Sequence, residues 1–289
     1  MDRKILYYLQ PVFRVFVFIF YIFLWSIPFG FITKLEVFNF SQDSLSGQLF
    51  YEFGAILMVV GALYMIFYTY QNRNFENIFI SRNALLPFLK GSIIGLLLIV
   101  ICSLVMYFSG NVIFTTTKIL PLNIAGYLLF FILVSVFEEF TFRSFPLVVF
   151  AERYLTLISV IVNGLLFGLI HFLNPGFSLL AMINISLCGI LFSAITLKYK
   201  NIWWAVGIHF GWNFTQGNIL GFKVSGISQS GLIVATPKGN EIISGGTFGI
   251  EGSVICTIIL LICILWMYMK VKIVPVVEIE QIGEADEEA

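Results

Sequence analysis

Glu138, Glu139 and Arg143 stand together in Phe137-Glu138-Glu139-Phe140-Thr141-Phe142-Arg143, and residues 124–136 and 144–150 on either side carry no charge. The chain has two histidines, His171 and His209, each inside a further apolar run, and Asn213 follows His209 by one helical turn. An ionised group near a bilayer centre costs about 2.5–3.5 kcal/mol on insertion scales, so such groups normally mark function. On a helix, Glu139 and Arg143 share a face and can pair along it. Glu138 points roughly 100° away and stays free for another partner. Asn213 shares the face of His209, as Phe167 shares that of His171.

A carboxylate, two imidazoles and an amide suit the activation of water. Glu138 is placed to take a proton from a water that His171 also holds. His209 and Asn213 can donate to the oxygen that turns negative when a peptide carbonyl is attacked. Arg143 keeps Glu139 ionised and fixes the helix. No serine or cysteine stands beside a base in a recognisable pattern, so direct attack by water is the simpler chemistry.

Two other chemistries stay open. Glu138, His171 and His209 also make a two-histidine, one-glutamate set of the kind that binds catalytic zinc, so a divalent metal such as zinc is the cofactor to test. There is no His-Glu-x-x-His run, and spacing alone does not decide. The same groups could relay protons in a transporter, although no inverted repeat is visible in the chain. Singly, each residue has a blander role, as helix-packing hydrogen-bonder or structural clamp. Distributed over three apolar runs, they point to one site.

Those runs must do the positioning. The chain has 289 residues, 59% hydrophobic and 11% charged, with a mean hydropathy of +0.98. Soluble domains are about half apolar and a quarter charged. This is the composition of a polytopic membrane protein whose first partner is the lipid bilayer. The formal net charge of zero gives no electrostatic reason for nucleic acid as a partner. A span needs about 20 apolar residues, and eight runs qualify: 12–33, 50–70, 91–109, one from 122 that contains the charged stretch, 156–173, 177–197, 202–220 and 250–269. The expectation is an all-α bundle of about eight transmembrane helices with a polar site in the membrane. It forms a single domain over 1–277, with the motifs in 122–220 and an acidic, disordered tail at 278–289. The first run has no small-residue cleavage site after it and reads as an uncleaved span. Cys102, Cys188, Cys256 and Cys263 all fall in apolar runs and read as small packing residues.

With eight spans, twelve of the 16 Lys and Arg residues collect on the side of the termini, against Lys34, Lys118, Lys223 and Lys238 on the other. The positive-inside rule then puts both termini in the cytoplasm. The Phe, Ile, Asn and Lys bias fits an AT-rich prokaryote, hence a prokaryotic cell membrane. The Gly- and Ser-rich connection 221–249 is long enough to serve as a lid or substrate guide. If the fourth helix runs on through Phe150, kinked before Pro146, helix rise brings Glu138 and His171 to similar depth, level with or slightly beyond the middle of the membrane and away from the basic loops.

Glu138-Glu139-x-x-x-Arg143, Phe167-x-x-x-His171 and His209-x-x-x-Asn213, in this order on hydrophobic helices, resemble the three motifs of the CAAX prenyl protease and bacteriocin-processing (CPBP, or Abi) intramembrane endopeptidases. The resemblance implies a helical bundle of eight spans and a peptide hydrolase. It assigns catalysis to Glu138, His171, His209 and Asn213, with Glu139 and Arg143 in support, and it makes Glu138 rather than a metal the activator of water. The implied partner is a peptide or protein substrate. Eukaryotic relatives trim prenylated C-termini at the cytosolic face; bacterial relatives take other peptides, so prenylation does not follow, and some members are immunity proteins. A non-catalytic immunity or scaffold role is at odds with the intact motif set.

Overall fold

In a bilayer an apolar run has to satisfy its backbone N–H and C=O groups internally, which leaves the helix as the only open form. The computed structural model obeys this throughout. It describes residues 3–38, 40–41, 44–71, 73–117 and 121–270. The tail expected at 278–289 lies outside the described residues.

Three long helices come first, α1 (Arg3–Ile32), α2 (Leu45–Thr69) and α3 (Leu85–Phe108). A short strand β1 (Val112–Thr116) leads to α4 (Pro121–Arg143) and the short α5 (Phe145–Ala151). Next are α6 (Thr156–Leu169), extended by a 3₁₀ turn Ile170–Leu173, and α7 (Leu179–Tyr199). Helix α8 (Trp203–Phe214) continues into a π turn, Thr215–Ile219. Strand β2 (Ile233–Pro237), a single turn α9 (Glu241–Ser244) and α10 (Val254–Lys270) complete the order. All eight apolar runs are helical. Among the described residues six helical stretches are long and apolar enough to cross a membrane, α4 and α5 counting as one stretch, Asn123–Ala151. The helices of the seventh and eighth runs, α8 and α10, are shorter. The connection 221–249 is more ordered than a plain loop. Its β2 pairs antiparallel with β1, Val112 opposite Pro237 and Thr116 opposite Ile233, which adds a small ribbon to the all-α bundle.

The fourth helix does not run on through Phe150. It breaks at Ser144, and Pro146 falls in the first turn of α5. A proline ring clashes with the carbonyl four residues back and offers it no N–H; in a first turn neither matters. The carbonyl left without a donor belongs to Phe142, and Asn163 on α6 supplies one through Nδ2 at 2.8 Å. Asn163 Oδ1 in turn accepts from Ser193 Oγ on α7 at 2.9 Å. The break thus becomes a joint among three helices.

Glycines set the closest helix pair. On α3, Gly91 and Gly95 face the α8 backbone, and a Cβ on Gly91 would lie 2.6 Å from the Trp204 carbonyl oxygen. On α8, Gly207 and Gly211 face the α3 backbone, where Cβ atoms would collide with the carbonyls of Phe88 and Ser92. Small residues spaced in this way let membrane helices touch along their backbones. Helix α8 carries His209 and Asn213, so this contact sets their position.

The connections sort into two ends. At one end, Arg73 grips Glu152 with two hydrogen bonds of 2.6 and 2.5 Å, Ile202 N donates to Phe79 O at 2.9 Å and Asn201 Nδ2 to Asn83 O at 2.9 Å. At the other end, Asn174 Nδ2 donates to Ser225 O at 2.9 Å, and Gly226 N to Phe248 O at 2.8 Å and Lys238 N to Asn111 O at 2.9 Å.

Candidate active site

Glu138, Phe167, His171, His209 and Asn213 line one cavity of about 160 Å³, room for several waters. Glu139 and Arg143 sit behind its wall, fully buried. The structure therefore brings every sequence-derived residue to one place, four around the cavity with Phe167 beside them and two in support.

Arg143 is the hardest of these to bury. Its Nε lies 3.2 Å from Glu139 Oε2, one turn back on the same helix. The guanidinium also lies over three aromatic rings: Phe167 at 4.1 Å, Phe192 at 5.5 Å and Phe142 at 5.6 Å. A desolvated cation over an aromatic face gains about 2 kcal/mol. Space for it comes from Gly189 on α7, where a Cβ would meet Arg143 Nη2 at 3.1 Å and the Gly164 Cα at 2.8 Å.

Glu139 has a second partner that spacing could not reveal. Its Oε1 lies 2.9 Å from His209 Nδ1. An ionised carboxylate only accepts, so Nδ1 carries the proton. The face of the His209 ring stacks on Phe192, with centroids 5.4 Å apart and planes 25° apart. Held in its plane and on its face, the ring turns Nε2 toward Glu138 Oε2, 3.8 Å away. A carboxylate that fixes the far nitrogen of a working histidine is a recurrent way to set tautomer and aim.

His171 is set by its own backbone. It lies in the 3₁₀ turn after α6, and its Nδ1 is 2.9 Å from Phe167 O. Because a carbonyl accepts, Nδ1 carries the hydrogen and the neutral ring keeps an acceptor at Nε2. The Phe167 ring meets both imidazoles edge to face, at 5.2 Å from His171 and 6.0 Å from His209. One phenyl ring thus spaces both histidines and covers the arginine.

Two glutamates in the cavity wall belong to none of the motifs. Glu52, from α2, faces the cavity, and its Oε2 is buried with no hydrogen-bond partner. Glu251 stands just before α10, where it accepts from Gln216 Nε2 at 2.5 Å, Trp212 Nε1 at 3.3 Å and Ser225 N at 3.4 Å. It ties the end of α8 to the connection 221–249. The signal for Glu52 was a lone carboxylate in an apolar run, which membrane insertion makes a site candidate by default. Glu251 carries the same signal, as the lone carboxylate at the start of the run 250–269.

The geometry bears on the metal alternative. Among the described residues no three His, Cys, Asp or Glu side chains converge as a metal-binding group. His209 spends Nδ1 on Glu139 and His171 spends Nδ1 on a carbonyl, so Glu138 and the two Nε2 atoms are what faces the cavity. Histidines tied through Nδ1 to a carboxylate or a carbonyl are the usual metal-ligating form, so the donor chemistry of Glu138, His171 and His209 suits zinc as it suits water activation.

Residues 120–215 match the family model described as Rce1-like, type II CAAX prenyl endopeptidase. The match agrees with the family that the motifs resemble, and it spans every motif residue from Glu138 to Asn213 while leaving Glu52 and Glu251 outside. No curated protein and no solved structure matches the chain.

Proposed function

We propose, on the premise that residues 120–215 are those of a CAAX-type endopeptidase, that the chain is an intramembrane peptidase in which Glu138 activates water. The observation that carries the reading is the shared cavity of Glu138, His171, His209 and Asn213, with Glu139 fixing His209 from behind. Water held between Glu138 and Nε2 of His171 loses its proton to Glu138 as its oxygen adds to the peptide carbonyl. The carbonyl oxygen turns negative against the His209 ring and the Asn213 amide. Glu138 then returns the proton to the departing amine. Charge builds in a cavity walled largely by apolar side chains, where fixed donors act more strongly than in water. The substrate is a membrane-associated peptide; CAAX-type C-termini are the first chemistry to try.

Purified protein in detergent, a quenched prenylated peptide ending in Cys-aliphatic-aliphatic-X, and a parallel set of unprenylated membrane peptides test this. Glu138→Gln lowers kcat by roughly 10²–10⁴-fold with unchanged thermal stability, and chelator leaves the wild-type rate unchanged. Full activity in Glu138→Gln defeats the reading. Loss with chelator, restored by zinc, replaces it with a metal mechanism through Glu138, His171 and His209.

A further inference from the structure

The cavity touches only one of the two ends of the bundle. Asn174 of the α6–α7 connection and Ser225, Ile227 and Gln229 of the connection 221–249 line it. No lining residue comes from the connections at 70–84, 152–155 or 200–202, which meet at the opposite end. Toward that opposite end the chain after Arg143 is closed, since all of α5, Phe145–Ala151, is buried.

The two ends differ in charge. Arg73, Arg82, Arg153, Lys198 and Lys200 stand at the closed end, with Lys90 in the second turn of α3. The cavity end has Lys34, Lys223 and Lys238 among the described residues. Short basic connections remain in the cytoplasm, so the closed end is the cytoplasmic one. The mouth is apolar on both flanks, with Phe130, Phe131 and Val134 of α4 facing Val224 and Ile227, and Ile227 is 49% exposed.

We infer that the cavity opens to the non-cytoplasmic face of the membrane, and that its substrate is a membrane-bound peptide presented there, with apolar side chains flanking the bond to be cut. This rests on the endopeptidase reading for the cutting, but on charge and contacts alone for the side. It turns the chain away from cytoplasmic C-termini and toward segments of exported or membrane-inserted chains.

Thiol labelling and vesicle sidedness test it on the full-length protein. Lys238→Cys and Gln229→Cys report the cavity end, Arg82→Cys reports the closed end, and the wild type gives the background of its four cysteines, three buried and one half-buried. A membrane-impermeant maleimide applied to right-side-out vesicles labels Lys238→Cys and Gln229→Cys, and labels Arg82→Cys only after detergent. An acylated, non-crossing peptide is cleaved by wild-type right-side-out vesicles, and cleavage is lost in sealed inverted ones. The reverse labelling, or cleavage confined to inverted vesicles, overturns the inference. If no membrane peptide is cleaved even in detergent, the endopeptidase reading fails by itself, and the side on which Gln229→Cys reacts still decides where the cavity opens.

Discussion

A positive charge at Arg143 survives full burial because one carboxylate and three rings surround it. Removing one partner of a buried pair strands the other, at about 3–5 kcal/mol. Arg143→Met, close in volume, therefore lowers the unfolding midpoint in detergent and frees Glu139 to release His209, so kcat falls as well. Asn163→Ala strands the Phe142 carbonyl without touching the cavity, while Ser193 keeps its bond to the Gly189 carbonyl; about 1–3 kcal/mol of stability is lost, and a denaturant titration measures it. The sign to look for is a stability defect larger than the kinetic one, the opposite of Glu138→Gln. At this scale much was legible beforehand. The i,i+4 spacing announced the Glu139–Arg143 pair, and the turn spacings announced which faces His171 and His209 present. The contact between Glu139 and His209 was not legible, because it joins residues 70 apart in sequence and depends on how closely α8 approaches.

That approach is a property of elements. Gly95 and Gly211 stand against facing backbone carbonyls, so Gly95→Leu or Gly211→Val must push α8 off α3 and carry His209 and Asn213 with it. Overpacking costs about 1–3 kcal/mol; here a near-complete loss of turnover accompanies it, while Gly30→Ala, with nothing within 4 Å of its added methyl, changes neither. Peptide cleavage and thermal unfolding of the three variants side by side check this. Hydropathy located all eight helical runs because lipid leaves the backbone no other solution. It misplaced the end of the fourth, since a proline in an apolar run reads equally as a kink or as a first turn, and only the distant Asn163 side chain makes the full break at Ser144 tenable. The ribbon of β1 and β2 escaped the reading because neither strand has a partner within its own neighbourhood.

Across the whole molecule the closed end is held by cross-links between connections rather than by apolar packing alone. Arg73 and Glu152 are only 15% and 21% exposed and form a two-pronged pair. Charge-assisted bonds of this kind contribute about 1.5–3 kcal/mol. Glu152→Gln is expected to loosen the α2–α3 connection from α5 and to lower stability toward the small end of that range, and a double-mutant cycle with Arg73→Gln isolates the pair. Cleavage is expected to change little, because the pair lies on the far side of α5 from the cavity. The spacing of Glu139 and Arg143 within one helix also bears on biogenesis. As α4 leaves the translocon, its cation and anion are already neighbours, so the segment can partition into lipid with a much reduced charge penalty. Two of the three rings over the guanidinium, Phe167 and Phe192, are supplied by α6 and α7, which are synthesised afterwards. A ribosome-stalled chain ending before α6 should thus be membrane-integrated yet thermally soft, and it should harden only when the later helices arrive.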